Sequence, residues 1–379
     1  MGNYFFTSES VCKGHPDKAA DQVADAVLDA ALSQDPDSRV SCEVLLSHNL
    51  IVLAGEISTK ASLDYQVIAR KTLEEIGYAE KDLGFDCRSS DVLLAIKQQS
   101  PDIARGVLRK EDLGAGDQGI MFGYASLETK ELMPLPIMAA NKIVLEIDQA
   151  RVLKKLPYLR PDGKVQVTFE FNEKGEPIRL HAAVISVQHN EDVSQEEIQK
   201  DMKAIVAKIL PPSFIDEKTY FYINPTGRFA IGGPAADCGM TGRKIMVDSY
   251  GGAARHGGGA FSGKDATKVD RSGAYAARYA AKNVVAAKLA AKCEVQIAYA
   301  IGIPTPVSIK VDTFGTGKVN DSDLSEALQK LCPFSLTRMI EAFDLKRPIY
   351  EKTAYGGHFG RPQFTWEKTD LVSTLNSYF

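Results

Sequence analysis

One order of elements, a helix followed by a strand hairpin and a second helix, occurs three times along this chain. The hairpin patterns RVSCEVLLSHNLIVLAGEIST, KVQVTFEFNEKGEPIRLHAAVISVQH and CEVQIAYAIGIPTPVSIKVDTFGT begin near Arg39, Lys164 and Glu294, so their starts are 125 and 130 residues apart. That interval is the spacing of domains and is too long for a solenoid repeat. Alternating β-branched and aromatic residues mark the strands, and Ser or Asp stands where the later helix of each unit should begin.

These patterns predict an α+β protein of three similar domains, each a small mixed or antiparallel sheet covered by helices. A chain of 379 residues is also too long for one ordinary hydrophobic core. We place the domains at residues 1–100, 114–231 and 232–379. Because sequence identity between the three units is slight, a chance similarity of layout is the alternative.

A polar stretch connects the first unit to the second. It reads KQQSPDIARGVLRKEDLGAGDQG, from Lys97 to Gly119, and it contains no long periodic run. A connection of this length is typical either of a disordered linker or of a lid over an active site. Composition leaves both interpretations open.

Composition also excludes several classes of protein. The formal net charge of −4 gives no global basis for nucleic-acid binding, which needs a basic surplus. No apolar run reaches the length that spans a bilayer, and the first residues, MGNYFFTSESVCKGHPDK, lack the regions of a signal peptide. The six cysteines include no C-x-x-C pair, which argues against a zinc site or a disulfide framework. We therefore expect a cytoplasmic protein without nucleic-acid or membrane partners.

The tetrapeptide HPDK, from His15 to Lys18, stands at the start of the first predicted helix. Asp17 would lie near the positive end of that helix, where a carboxylate is favoured and can cap free N–H groups. A carboxylate beside a histidine and a lysine is also what a site for Mg²⁺ and phosphate requires. Both interpretations, a helix cap and a metal–phosphate site, suit these residues.

Two glycine-rich segments that carry several cations follow within about fifty residues. The first is INPTGRFAIGGPAADCGMTGRK, from Ile223 to Lys244, and the second is GGGAFSGKDATKVDR, from Gly257 to Arg271. Each by itself is typical of a surface loop. Together they favour a polyphosphate site, because glycine lets the backbone approach a ligand and the cations balance phosphate charge.

The second segment contains a broken phosphate-loop pattern. Gly258, Gly263 and Lys264 fit the spacing G-x-x-x-x-G-K, but Asp265 follows, where the loop needs a hydroxyl for Mg²⁺. The preceding KIMVDSY could form a strand, yet the hairpins elsewhere do not provide the alternating strands and helices of a P-loop protein. We interpret the segment as a phosphate site that is not a P-loop.

Five motifs, in order along the chain, resemble those of the S-adenosylmethionine synthetase family, the methionine adenosyltransferases. The resemblance runs from Phe6 to Lys368. It implies three similar domains around a pseudo-threefold axis, in agreement with the repeat, and a flexible active-site lid at residues 101–113. The motifs are TSES-x₃-GHPDK, GAGDQG, LRPDGKVQV, INPTGRF-x-IGGP-x₂-DCG-x-TGRK and GGGAFSGKD-x-TKVDRS-x-AYAARY.

The resemblance implies transfer of the adenosyl group of ATP to the sulfur of L-methionine, with release of tripolyphosphate that is then hydrolysed to pyrophosphate and phosphate. It also implies two Mg²⁺ ions per site, K⁺, and a homotetramer built as a dimer of dimers with active sites shared across the dimer interface. A thioether sulfur needs no deprotonation, so no serine or cysteine triad is expected. Mg²⁺, lysine and arginine must instead stabilise the negative charge on the leaving oxygen.

The family's site residues can be carried over onto matching positions of this sequence. The catalytic residues implied are His15, Lys164, Arg243, Lys244 and Lys264. The ATP contacts implied are these five together with Asp162, Arg228, Phe229, Asp237 and Ala260. The methionine contacts implied are Glu56, Gln99, Asp117, Asp237 and Lys268. The metal ligands implied are Asp17 and Asp270 for Mg²⁺ and Glu43 for K⁺.

The sequence departs from the family pattern at two places, and two other functions are alternatives. Cys12 and Lys13 stand where Ser and Glu are usual, and the lid segment is slightly short. A P-loop kinase or ATPase would release ADP, but Asp265 argues against it. A nucleotide-sensing regulatory subunit would not need the full set of cations that this chain retains.

Overall fold

A computed structural model describes residues 2–80, 82–98 and 113–379 of the protein. The strands are β1 (Tyr4–Val11), β2 (Arg39–Ser47), β3 (Leu50–Ser58), β4 (Asp91–Lys97), β5 (Gly119–Ser126), β6 (Leu159–Phe171), β7 (Pro177–His189), β8 (Tyr220–Ile223), β9 (Gly239–Met240), β10 (Lys292–Tyr299) and β11 (Ser308–Asp312). The helices are α1 (Pro16–Gln34), α2 (Tyr65–Ile76), α3 (Leu135–Val152), α4 (Gln195–Ile209), α5 (Ile245–Asp248), α6 (Val269–Ala286), α7 (Asp321–Leu331), α8 (Leu336–Ala342) and α9 (Val372–Tyr378).

Each predicted unit contains an antiparallel hairpin between two helices. β2 pairs with β3, β6 with β7, and β10 with β11. The helices α1, α3 and α6 precede these hairpins, and α2, α4 and α7 follow them. The three sheets have the orders β4-β3-β2-β9, β1-β6-β7-β8 and β11-β10-β5. The predicted α+β fold with small mixed or antiparallel sheets is confirmed.

The strand beside the first strand of each hairpin comes from a different part of the chain. β1 pairs antiparallel with β6 of the second unit, from Tyr4 opposite Phe171 to Val11 opposite Lys164. β5 lies beside β10 of the third unit, and β9 lies beside β2 of the first. The three units therefore exchange one strand each in a cycle. This exchange ties the units together, and local patterns did not predict it.

The N-termini of the later helices show how far local sequence determines the elements. Asp64 accepts a hydrogen bond from N of Val67 at the start of α2, and Ser194 accepts one from N of Glu197 at the start of α4. These two caps were predicted. α7 begins instead after Asn320, whose side chain makes no capping bond, so the third predicted cap is wrong.

Close packing holds α6 against its sheet. A Cβ atom at Gly123 of β5 would lie 1.9 Å from the carbonyl carbon of Ala277, so only glycine lets the strand approach the helix. The ring of Tyr275 on the same helix stacks on Trp366 with centroids 3.8 Å apart. These contacts hold α6, the helix whose first turn carries Asp270, in a well-defined position.

The segment KIMVDSY, whose sequence could have formed a strand, does not form one. Ile245–Asp248 forms a single helical turn, α5, whose last residue binds the buried Lys18 of α1. Lys264 makes an isolated bridge with Ser41 rather than following a strand end. The ion pair of Asp248 with the distant Lys18 favours the helical turn over a strand. Because no strand of the described residues leads into the segment that carries Lys264, that segment is not a P-loop.

Among the helices of the described ranges, none has both the length and the apolar composition that crossing a bilayer requires. The cytoplasmic location stays a prediction.

Candidate active site

Asp17 is the centre of a charged group at the N-terminus of α1. Its side chain is buried, and Oδ1 accepts a hydrogen bond from N of Met240 at 2.9 Å. Nζ of Lys244 lies 2.5 Å from Oδ2, and Nη1 of Arg243 lies 3.7 Å from Oδ1. Burial by itself raises the pKa of Asp17, but Lys244 and the N–H of Met240 outweigh burial and lower the pKa. We call His15, Asp17, Arg243 and Lys244 the Asp17 cluster.

His15, and not Asp17, caps this helix, which corrects the interpretation of Asp17 as the cap. Nδ1 of His15 accepts a hydrogen bond from N of Asp17 at 3.2 Å, and this bond requires an unprotonated Nδ1. Burial and the nearby Lys244 lower the pKa of His15 to about 3. The imidazole is therefore neutral near pH 7, and its Nε2–H is left as a hydrogen-bond donor.

Lys164 lies at the edge of the Asp17 cluster. It stands on β6 opposite Val11, and its Nζ lies 2.9 Å from Oε2 of Glu9. The side chain is 47% exposed, and its charge contributes to the lowered pKa of His15. Lys164 can therefore turn toward a ligand that binds beside His15.

A second charged group lies at the start of α6. Nζ of Lys264 lies 2.6 Å from Oδ2 of Asp270. A Cβ atom at Gly259 would lie 2.4 Å from Oδ1 of this carboxylate, and one at Gly119 would lie 3.3 Å from it. Glycine is needed at Gly259 because any side chain would collide with Asp270. We call Lys264 and Asp270 the Lys264 cluster.

Glu43 and Lys268 lie near the Lys264 cluster. Glu43 follows Ser41, the bridge partner of Lys264, by two residues on β2. Partial desolvation raises the pKa of Glu43, and the charge of Lys264 opposes the rise. Lys268 forms an ion pair with Asp265, the residue that breaks the phosphate-loop pattern. Oδ2 of Asp265 also accepts a hydrogen bond from N of Val40 at 2.7 Å. Asp265 thus anchors the loop to β2.

The residues expected at the nucleotide differ in how accessible they are. Asp162 is buried and accepts a hydrogen bond from N of Gly233 at 2.8 Å. Burial raises the pKa of Asp162 to about 6, although the N–H of Gly233 opposes the rise. Arg228 is exposed and paired with Glu191, and Phe229 is half-buried. Asp237 is exposed and Ala260 is half-buried.

Of the residues expected at methionine, Glu56 and Asp117 are exposed. Glu56 stands on β3 opposite Ser41, and Ser41 bridges Lys264 on its other side. Glu56 is therefore one strand away from the Lys264 cluster. Gln99 lies outside the described residues.

A row of aspartates on α1, which sequence reasoning missed, supports both clusters. Its members are four residues apart and so share one face of the helix. Each accepts at least one hydrogen bond from a backbone N–H within residues 240–351. Acidic residues at i, i+4 spacing in a largely apolar helix could have indicated this row, because carboxylates on a buried helix face require hydrogen-bond donors from elsewhere in the fold. The pairs are Asp17 with Met240, Asp21 with Gly242, Asp25 with Gly263, and Asp29 with both Tyr350 and Glu351.

The carboxylates of the two clusters suit Mg²⁺ that is coordinated partly by substrate phosphates, and not Mg²⁺ that is coordinated by protein side chains alone. Mg²⁺ is usually bound by one or two carboxylates together with substrate phosphates and water. Asp17 and Asp270 each offer one carboxylate beside cations that suit phosphate oxygens. Within the described part of the chain, no three His, Cys, Asp or Glu side chains converge to hold a metal ion. Glu43 offers a single exposed carboxylate, which fits one ligand of a K⁺ ion.

Three family models match consecutive parts of the chain. They describe the N-terminal domain of S-adenosylmethionine synthetase at residues 3–101, the central domain at 112–229 and the C-terminal domain at 231–368. A protein from Sorangium cellulosum (strain So ce56), named S-adenosylmethionine synthase, is 53% identical over an alignment of 380 residues that covers 99% of this chain and 90% of that protein. These matches confirm the resemblance in the motifs: the chain belongs to the S-adenosylmethionine synthetase family.

Proposed function

We propose that this chain transfers the adenosyl group of ATP to the sulfur of L-methionine and then hydrolyses the released tripolyphosphate to pyrophosphate and phosphate. Membership of the family supports synthesis of S-adenosylmethionine. The structural observation that carries the proposal is the Asp17 cluster, where a buried carboxylate stands between two cations beside a neutral histidine. At a helix N-terminus, such a group suits a phosphate chain that arrives with a hard dication.

In the transfer step, a bond forms between sulfur and C5′ of ATP. The bond from C5′ to the triphosphate oxygen breaks, and its electron pair stays on that oxygen. Because the sulfur lone pair is already available, no side chain has to remove a proton. The protein has to align the three atoms and stabilise the leaving oxygen. Neutral His15 suits this task, since its Nε2–H can donate a hydrogen bond to that oxygen.

The cations proposed to bind the triphosphate already have acidic partners in the protein. Phosphate oxygens would share or replace those partners, so the positive charges do not have to be gathered when ATP binds. Among these cations, Arg243 has the most exposed side chain, at 53%, and it can therefore change its conformation most easily when the phosphates bind. The pairs are Lys244 with Asp17, Lys264 with Asp270 and Lys164 with Glu9.

We propose ligands for the metal ions and contacts for both substrates from the same positions. Asp17 and Asp270 would hold Mg²⁺, which when bound supplies positive charge to the phosphate oxygens, and Glu43 would hold K⁺. The proposed nucleotide contacts outside the cation set are Asp162, Arg228, Phe229, Asp237 and Ala260. The proposed methionine contacts are Glu56, Gln99, Asp117, Asp237 and Lys268.

We place each active site between two copies of the chain, in a homotetramer of two dimers. Within one chain the two clusters lie at different points along α1, since Asp17 and Asp25, which binds the loop of Lys264, are eight residues or about 12 Å apart. A twofold axis would bring the Lys264 cluster of one copy to the Asp17 cluster of the other and create two equal sites. Exposed apolar side chains on the sheets, including Phe5, Leu93 and Ile120, support a partner there.

Residues 101–113 are proposed as a lid that closes on the substrates. All of them except the last lie outside the described residues. The proposal therefore rests on the family resemblance and on the polar, glycine-containing sequence.

The reaction is tested by one assay that contains ATP, methionine, Mg²⁺ and K⁺. S-adenosylmethionine, pyrophosphate and phosphate should form in equal amounts, and each should depend on methionine. Accumulation of ADP would favour a kinase or ATPase instead. Binding of ATP without consumption of methionine would favour a regulatory protein, and either result would reject the proposal.

A further inference from the structure

We propose that Arg271 is a positioning residue for the adenosyl transfer and that it acts by fixing the backbone that carries Lys264. The proposal rests on the function proposed for Lys264 above. Arg271 lies in the first turn of α6 and directly follows Asp270, but its own side chain is fully buried and points away from solvent. A buried guanidinium is costly unless partners within the protein satisfy its charge and its N–H groups.

Every N–H group of the Arg271 guanidinium has an acceptor. Nη1 and Nη2 donate to the two oxygens of Asp25 at 2.7 and 2.8 Å. Nη1 also donates to the carbonyl oxygen of Lys264 at 3.1 Å, Nη2 to Oγ1 of Thr353 at 2.8 Å, and Nε to the hydroxyl of Tyr275 at 3.0 Å. A guanidinium has five N–H donors in a rigid plane. With all five in use, the group has one orientation.

The pair of Arg271 and Asp25 holds the chain on both sides of the Lys264 side chain. Oδ1 of Asp25 accepts a hydrogen bond from N of Gly263 at 2.8 Å, while Arg271 donates to the carbonyl oxygen of Lys264. A Cβ atom at Gly263 would lie 2.0 Å from the carbonyl oxygen of Cys42, so the loop is also packed tightly on β2. These contacts determine where the Lys264 side chain begins and which way it leaves the loop.

The same helix offers a matched comparison in Arg278. This side chain is equally buried, and it binds both oxygens of Glu367 through Nε and Nη2 at 3.0 and 2.9 Å. Its other N–H groups donate to backbone oxygens within residues 124–132. None of these acceptors belongs to the loop at residues 257–265. Arg278 therefore resembles Arg271 in burial and bonding but does not hold Lys264.

The test compares Arg271→Lys with Arg278→Lys in the full-length protein. Lysine keeps the charge but has no planar fork, so each variant loses a bidentate pair, and both should unfold at a lower urea concentration than the parent. Only Arg271→Lys should lower kcat for S-adenosylmethionine formation, by about 10²-fold, because a displacement of about 1 Å at a reacting group costs that much. Arg278→Lys should keep kcat within about twofold.

A double-mutant cycle with Lys264→Met shows whether Arg271 acts through Lys264. In the Lys264→Met background, Arg271→Lys should lower kcat by no more than about twofold, since the side chain that it positions is gone. If Arg271→Lys does not fold, Asp25→Asn, which can still accept from N of Gly263, takes its place in the same cycle. A full additional loss of kcat in the Lys264→Met background, or an equal loss in Arg278→Lys, overturns the positioning role. Normal kcat in Lys264→Met alone overturns the proposed role of Lys264 as well.

Discussion

Nζ of Lys244 lies 2.5 Å from Oδ2 of Asp17, although 227 residues separate them along the chain. The lysine neutralises the carboxylate that we propose as a ligand of Mg²⁺. A bare Mg²⁺ ion would therefore have to compete with an ammonium group for the same oxygen. When ATP is present, its phosphates can take Lys244 and leave Asp17 for the metal ion. We infer that binding of Mg²⁺ and binding of ATP are coupled at this residue.

Asp17→Asn should raise the Mg²⁺ concentration needed for half-maximal activity by about tenfold or more. A neutral amide is a poor ligand for a hard dication, and losing even an outer partner of a metal ligand costs roughly 10- to 100-fold. Titration of activity with Mg²⁺ at saturating ATP measures the effect. Asp29→Asn is the control, since Asp29 lies on the same face of α1 and accepts from N of Tyr350 and N of Glu351. Unchanged Mg²⁺ dependence in Asp17→Asn would remove Asp17 from the metal site.

Lys264→Met should slow S-adenosylmethionine formation by about 10²- to 10³-fold, the cost of losing one preorganised donor to a developing negative charge. Single-turnover measurement of the sulfonium product reports this step directly. Lys282→Met is the control, because Lys282 also pairs with an acid, Glu367, at 2.7 Å but lies later on α6. Comparable loss in both variants would mean that the effect is one of stability and not of the site.

His15 should make the folded protein less stable as the pH falls below 6.5. Burial and Lys244 lower the folded-state pKa of His15 to about 3, so the unfolded chain takes up a proton near pH 6.5 and the folded chain does not. The stability is complete above pH 6.5 and is lost toward pH 3, by up to about 1.4 kcal/mol per pH unit.

His15→Asn isolates this contribution, since asparagine can still cap the helix but does not titrate. Urea unfolding at pH 7.5 and pH 5.5, at one protein concentration, should show a smaller loss for the variant than for the parent. Equal losses in the two proteins would contradict a depressed pKa at His15.

Co-expression of two inactive variants tests whether the site is shared between copies. By the proposed arrangement, His15, Lys164, Arg243 and Lys244 come from one copy, and Lys264, Lys268, Glu56 and Gln99 come from its partner. A mixed dimer of a His15 variant and a Lys264 variant would have one site with both defects and one with neither. Random pairing makes about half of the dimers mixed, so about a quarter of all sites should regain activity. Activity no higher than that of either variant alone would mean that each site belongs to one chain.

Deletion of residues 101–110 should suppress S-adenosylmethionine formation and spare hydrolysis of added tripolyphosphate. A lid matters for enclosing the substrates, whereas the proposed phosphate-binding cations belong to other segments. The two activities are measured on the same preparation, and the urea midpoint of the deletion variant serves as the control for folding. A parallel fall in both activities would indicate that the segment supports the fold.

Local sequence was sufficient to predict the hairpins and their flanking helices. Period-two alternation marks strands, helical spacing marks the apolar stripe of α1, and Asp64 and Ser194 stand at the caps that they form. All of these signals involve neighbours within a few residues, so they do not depend on the rest of the fold. The motifs likewise identified the family because they are long and occur in order.

Only the tertiary structure decided which distant segments meet. The cyclic exchange of β1, β5 and β9 joins strands to hairpins of other units, and no local pattern specifies such a partner. For the same reason, the local sequence of KIMVDSY is compatible with a strand, whereas in the structure Asp248 ends a helical turn and pairs with the buried Lys18.

The charged residues of the candidate site likewise separate what the sequence determines from what the tertiary structure determines. The sequence by itself determined that Asp17, Lys244, Lys264 and Arg271 are present in glycine-rich or helix-starting segments. Only the tertiary structure determined that Lys244 forms an ion pair with Asp17 and that Arg271 forms one with Asp25. A buried carboxylate or guanidinium must be satisfied by partners in three dimensions, and those partners here are more than 200 residues away along the chain.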